Sequence, residues 1–213
     1  SKDQSYVLWG VTQECLKRTI FPMGKFHKKD IKQMAIDRGY VQLAQKSESY
    51  EICFIPDNDY RGFLKRRVEG LEEKVRGGDF VSVDGDVVGK HDGYPFYTIG
   101  QRKLGVSLGS EPTYVVGIKE KENIVVVGTK EDLKKQEMYV KNINYVKYSK
   151  IEDGTQLLAK IRYKHSGEMA TIYNEEGNLK VLFHNKVHGI APGQSAAFYD
   201  GEDLVAGGFI MKN

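Results

Sequence analysis

The feature that most constrains this chain is a change of hydrophobic period near Gly77. Before it, apolar residues recur at helical spacing. After it, they alternate or fall in short runs bounded by turn residues. From residue 111 onward the chain reads as all β, with strands expected at 114–118, 123–127, 138–142, 157–163, 170–173, 179–183, 195–199 and 204–211. Glu122-Asn123, Asp153-Gly154, Glu176-Gly177, Pro192-Gly193 and Asp200-Gly201 punctuate them. Many short antiparallel strands at such spacing form a small barrel or a sandwich. Just after Gly77, Phe80, Val81 and Val83 lead into Asp84-Gly85, a hairpin signal, and Val87-Val88 follow it.

The first 56 residues read as helices with short breaks. Thr12 can cap a helix carrying Cys15 and Leu16, and Phe21-Pro22-Met23-Gly24 is a turn. Ile31, Met34 and Ala35 share a helical face, with Asp30 at the start, Arg38 at the end and Gly39 as the stop. Asn58 or Asp59 caps a further helix that turns Phe63, Leu64 and Val68 inward and Lys65, Arg66 and Arg67 outward. The net charge of +3 is too mild to name a nucleic acid partner without local clustering. Two cysteines are no disulfide framework, and no apolar run approaches the roughly 20 residues of a membrane span. The polar start Ser1-Lys2-Asp3-Gln4 is no signal peptide, so a reducing cytoplasm is expected. Without an initiating methionine, the chain is expected to be a fragment or a processed form.

Cys53 sits in Glu48-Ser49-Tyr50-Glu51-Ile52-Cys53-Phe54-Ile55-Pro56, at the edge of turn chemistry in Pro56-Asp57-Asn58. A thiol there is either a small buried hydrophobe or a reachable nucleophile for sulfur or redox chemistry. Glu48 and Glu51 oppose the thiolate, while Lys46 or a helix start near Asn58 would favour it. Cys15, within a helical pattern, reads as structural. Gly100-Gln101-Arg102-Lys103 offers three long polar side chains that suit phosphate, ribose or a base edge, or form an ordinary solvated loop. A strand over 160–164 would align Lys160, Arg162 and Lys164 on one face and Ile161 and Tyr163 on the other, as RNA-binding surfaces and wet sheet faces both do. His91-Asp92 is a weak His–carboxylate candidate. His184 and His188 lack a nearby third ligand, so no metal is expected. The chain has no Walker A motif, no strand–GxGxxG–helix unit and no GxSxG elbow, hence no recognisable nucleotide site.

These segments together resemble the tRNA-specific 2-thiouridylases, which replace the C2 oxygen of wobble uridine with sulfur. The resemblance runs over essentially the whole chain. It is carried by Lys2-Asp3-Gln4-Ser5-Tyr6, Phe21-Pro22-Met23-Gly24, Ile52-Cys53-Phe54-Ile55, Gly89-x-His91-x-Gly93 with 97–103, Arg162-Tyr163, Pro192-Gly193-Gln194 and Gly207-Gly208, in that order. It implies an α+β multidomain fold: a helical remnant of an α/β PP-loop domain (1–57), a small α+β central tRNA-binding domain (58–111) and a C-terminal antiparallel β-barrel (112–213). Cys53 would carry a catalytic persulfide and later form a disulfide with the other catalytic cysteine. Lys2, Asp3, Gln4, Gln101, Arg102, Lys103, Arg162, Tyr163 and Gln194 would contact tRNA. The full-length enzyme would use ATP with Mg2+ to adenylate the uridine. This chain carries neither the Ser-Gly-Gly-x-Asp-Ser phosphate loop nor the first catalytic cysteine, so it is expected to bind no cofactor and to be inactive alone. The implied partners are tRNA and a sulfur-donor protein, a desulfurase or relay protein, with no membrane and no DNA. Glu48-Ser49-Tyr50-Glu51 stands where the family commonly has Asp-Ser-x-Gly, adding a carboxylate that disfavours the thiolate. The rival readings are an RNA-binding β-barrel module without catalysis and, less well supported, an RNA methyltransferase.

Overall fold

The computed structural model describes residues 5–46, 55, 57 and 59–212. Cys53, Lys2, Asp3 and Gln4 lie outside the described residues. The chain divides into two compact units, Glu14–Glu69 and Ser1–Gln13 with Gly70–Asn213.

The smaller unit is helical: α1 (Gln13–Arg18, entering from the larger unit), α2 (Lys28–Asp37), α3 (Val41–Gln45) and α4 (Tyr60–Arg67). Gly39 stops α2 as expected, at φ +84, a region that costs a side chain and suits glycine. The Gly39 N–H then reaches the Ile36 carbonyl at 2.9 Å and the Tyr40 N–H that of Ala35 at 2.8 Å. Asp59 caps α4 by accepting from the Gly62 N–H at 2.8 Å. Val68, expected to face inward, is exposed because the chain is already extended there. Ile20, Phe21, Met23, Phe26 and Leu43 are exposed as well.

The larger unit opens with a 3-10 helix, Ser5–Gly10, and resumes with α5 (Leu71–Val75). Strands β1 (Gly78–Ser82) and β2 (Val87–His91) form the expected hairpin, with Gly85 at φ +98. After β3 (Tyr114–Lys119) and β4 (Ile124–Gly128), β4 pairs in parallel with β1, giving a four-stranded sheet in the order β2-β1-β4-β3. This sheet spans the 111/112 boundary set from sequence. A parallel pairing between distant segments leaves no trace in local periodicity.

The remaining strands are β5 (Lys134–Tyr145), β6 (Thr155–Lys160), β7 (Glu168–Glu175), β8 (Asn178–His188), β9 (Ser195–Asp200) and β10 (Asp203–Ile210). They close into an antiparallel barrel, β10-β5-β8-β7-β6-β9. Alternation fills its interior: Met138 and Val140, Leu157 and Ala159, Ala170 and Ile172, and Leu179, Val181 and Phe183 are all buried. Closure leaves the barrel no sheet edge.

One strand departs from its expected extent. β6 ends at Lys160, so Lys160, Arg162 and Lys164 do not share a strand face. Ile161 is buried in the barrel core, and the His165 N–H closes a turn onto the Arg162 carbonyl at 3.0 Å. That turn takes the chain out of the ladder.

β9 is covered on both faces. Ala196 and Phe198 face the barrel core, while Ala197 and Tyr199 pack under Tyr6 and Trp9 of the 3-10 helix. The Tyr6 hydroxyl donates to the Ser195 carbonyl at 2.6 Å, and Asn144 Nδ2 donates to the carbonyls of Trp9 and Val11. Gly207 makes this docking possible: a Cβ there would lie 2.4 Å from Trp9 Cγ and 2.7 Å from the Ala196 carbonyl oxygen. Trp9 is the only tryptophan of the chain, so its emission reports the docking directly. Gly207→Ala should shift that emission to the red and lower stability by roughly 1–3 kcal/mol, the usual cost of overpacking. Unchanged emission in the variant would show that the helix tolerates a methyl group and that this close approach is not required.

Candidate nucleic-acid interface

Two glycine turns build the candidate site. The first spans 98–101: the Gln101 N–H reaches the Thr98 carbonyl at 2.9 Å, with Gly100 at φ +85 in the third position. Type II turns place a residue of positive φ there. The turn is tied to β3, since Gly100 N–H donates to Val115 at 2.8 Å and Val115 N–H to Gln101 at 3.0 Å. The second spans 191–194, with Pro192 in second place and Gly193 at φ +82. The Gln194 N–H closes it onto Ala191 at 3.2 Å, and Gly193 N–H donates to Ile210 at 2.9 Å. Thr98, Ile99, Ala191 and Gln194 line two neighbouring hollows of about 540 and 390 Å³. The two turns therefore meet where the sheet adjoins the barrel.

The Gly89-x-His91-x-Gly93 run upstream fixes the first turn from behind. His91 is buried, its ring 5.1 Å from that of Phe80 and 5.3 Å from that of Tyr97. Its Nδ1 accepts from the Gly93 N–H at 3.0 Å, so Asp92 is not its ring partner at that nitrogen. Burial pushes the imidazole below its ordinary value, against weaker upward pulls from Asp79 and Asp92. The aromatic cluster of Phe80, His91 and Tyr97 thus anchors the chain immediately before Thr98.

The larger hollow gathers Arg102, Arg162 and Gln194, three residues singled out from three separate motifs, with Lys130 and His188 beside them. Arg102 stacks its guanidinium 5.5 Å from the Tyr114 ring centroid. Arg162 Nη1 donates to the carbonyl of His188 at 3.1 Å and, at 3.5 Å, to that of Gly189. Gly189 has φ +80, and a Cβ there would sit 2.8 Å from Arg162 Nη1, so the anchoring requires glycine. An arginine has five N–H donors, and these contacts use only Nη1. Gln101 has a structural part as well. Its Oε1 accepts from the Thr98 N–H at 3.1 Å and so braces the turn from within. Lys103, at φ +58, joins Arg102 along a smaller adjoining hollow. Tyr163 is exposed and meets Tyr6 edge to face at 6.4 Å. Tyr6, buried and near Tyr199, has its phenol pushed up to about 12, with Arg162 pulling the other way.

The electrostatics of the cleft are those of a cationic site. His188 is held below its ordinary value first by burial, then by the charges of Lys130, Arg162 and Lys134, against a weaker opposing pull from Glu131. His165 is lowered by burial, then by Arg162 and His188. Lys130 and His188 were missed from sequence. Lys130 stands in the mixed-charge run Lys130-Glu131-Asp132, which reads as solvated loop, and the sequence offers His188 only as half of a metal-ligand spacing with His184. Among the described residues no group of three or more His, Cys, Asp or Glu could hold a metal ion.

A histidine near 6.5 in the unfolded chain and lower in the fold binds more protons unfolded across that interval. Stability therefore rises with pH through it and is lost as pH falls below about 6.5. The melting temperature should drop as pH is lowered from neutrality through that window. In an NMR titration, Lys130→Ala should raise the His188 midpoint and leave that of His91 in place. Equal shifts at both rings would show that Lys130 does not act across the cleft.

Three family models match consecutive parts of the chain: one described as a tRNA methyl transferase HUP domain over residues 1–57, a tRNA methyl transferase PRC-barrel domain over 61–129, and an aminomethyltransferase beta-barrel domain over 135–210. Curated relatives named tRNA-specific 2-thiouridylase MnmA align with it end to end or nearly so. That of Cytophaga hutchinsonii is 54% identical over 100% of this chain and 58% of its own length. That of Salinibacter ruber is 50% identical over 100% of this chain and 56% of its own length. That of Chlorobium phaeobacteroides is 43% identical over 98% of this chain and 58% of its own length. The chain therefore spans somewhat more than half the length of the relatives it matches.

Proposed function

Within the family of the tRNA-specific 2-thiouridylases, to which this chain belongs, we propose that residues 70–212 supply the tRNA-holding surface of an enzyme that thiolates C2 of wobble uridine. One observation carries the reading: Arg102, Arg162 and Gln194, far apart in sequence, line one cleft with Lys130. Arginine and lysine hold phosphate, and a glutamine amide reaches ribose or a base edge. In this reading 1–57 belongs to the catalytic PP-loop domain, 58–111 to a central tRNA-binding domain and 112–213 to the barrel domain. The four-stranded sheet joins the last two through the β1–β4 pairing.

Lys2, Asp3, Gln4, Lys103, Tyr163 and the Gln101 turn extend the proposed contact. Tyr163, exposed beside Arg162, suits stacking on an unpaired base. Cys53 is proposed to carry the persulfide whose terminal sulfur attacks C2, before a disulfide with a second cysteine discharges it. ATP with Mg2+ supplies the adenylation that makes uridine O2 a leaving group. The described residues of 14–69 form short helices with no strand-to-helix glycine loop, so they do not fit that nucleotide, and its site is assigned to another part of the whole protein. A desulfurase or relay protein is the proposed sulfur source, and the cytoplasm the proposed compartment. No described helix is long and apolar enough to cross a membrane.

The test has two arms. The 213-residue chain should bind a tRNA transcript with affinity that falls steeply between roughly 50 and 200 mM salt, and should form no thiouridine by itself. The full-length enzyme should thiolate, and Cys53→Ser should abolish product while leaving tRNA affinity intact. Retained thiolation in that variant would refute the persulfide assignment. Saturable binding of S-adenosylmethionine would favour the methyltransferase reading instead.

A further inference from the structure

The cations of the cleft come from three different parts of the fold. Arg102 follows the Gly100 turn of the sheet, Arg162 follows β6 of the barrel, and Lys130 lies on the connector between β4 and β5. That connector is short and internally braced. The Thr129 N–H and Oγ1 both donate to Asp132 Oδ2, at 2.7 and 2.8 Å. Lys134 bonds Glu131 twice, through its N–H to the carbonyl at 2.9 Å and through Nζ to the carboxylate at 2.8 Å. Gly128 accommodates the brace, since a Cβ there would lie 2.7 Å from Asp132 Oδ2. Both carboxylates of the run Lys130-Glu131-Asp132 are thus engaged within the connector, and its lysine at 130 lines the cleft with the two arginines. His188, also lining the cleft, feels Lys130 more than any other single charge.

We propose that Lys130 is a third phosphate contact for the bound RNA, gripping a phosphodiester from the connector while Arg102 and Arg162 hold the strand from the sheet and the barrel. The proposal rests on the tRNA reading above and assigns to it a residue that no sequence motif marks. A lysine suits the role: its ammonium is a compact charge on a flexible stem, able to follow a phosphate that the rigid guanidinium forks do not reach. Such a contact positions the strand and carries no base information, so its loss should weaken all tRNAs alike.

The experiment measures anisotropy of a labelled tRNA transcript against the chain, from roughly 50 to 200 mM salt. Lys130→Ala should bind about tenfold more weakly, the scale of one charge-assisted hydrogen bond, and its log–log salt slope should be shallower by about one. Lys130→Arg should restore most of the affinity. Lys121→Ala, at an exposed lysine that lines neither hollow, should match the unmodified chain. Melting temperatures of all variants should agree, because Lys130 is exposed. If the unmodified chain binds with a steep slope and Lys130→Ala keeps both slope and affinity, the Lys130 assignment is overturned and the tRNA reading stands. If the unmodified chain itself shows a flat response, the tRNA reading falls, and the assignment with it.

Discussion

One guanidinium holds the site together. Arg162 leaves the ladder after β6 and bonds the carbonyls at the end of β8, where Gly189 alone leaves it room. Carbonyls left unpaired at a part-buried strand end are costly, since backbone acceptors away from water need partners. The arginine answers that need through Nη1 while the residue lines the cleft. The same side chain therefore ties the end of β8 and charges the cleft. Burial lowers the histidines at 165 and 188 first, and the Arg162 charge adds to it at both, after Lys130 in the case of His188.

Around that anchor, rigidity comes from short-range devices. The 98–101 turn is locked to β3, braced by Gln101 from inside and by the aromatic cluster from behind. The 191–194 turn is locked to β10. The connector 129–134 is locked to itself by Asp132 and Glu131. Each device fixes backbone, so each long cationic side chain starts from a defined root. Pre-positioned donors lose less entropy on binding than donors carried by slack loops.

Much of the fold was legible because it is written in local signals. Turn pairs such as Asp84-Gly85 and Glu176-Gly177 mark positive φ, and all eight strands expected after residue 111 are present. Their number and spacing leave a barrel or a sandwich open; the resemblance implies the barrel, and six of the eight close into one. What local signals could not carry was pairing at a distance. The β1–β4 parallel contact joins segments whose own patterns are neutral about partners. The alternation of Ile161 and Tyr163 imitated a continuing strand, although Ile161 plugs the barrel and Arg162 turns away. The site divides the same way. Arg102, Arg162 and Gln194 stand in recognisable motifs, whereas Lys130 is visible only once the connector is folded. Cys53, the proposed persulfide carrier, lies outside the described residues.

The central claim is that RNA enters the cleft where the two glycine turns meet. Hydrogen–deuterium exchange with and without a tRNA transcript tests it most directly. Protection should appear together at 98–103, 129–133, 161–163 and 188–194, and be absent from strand β7, which lines no part of the cleft. Protection confined to β7, or uniform across the barrel, would contradict it.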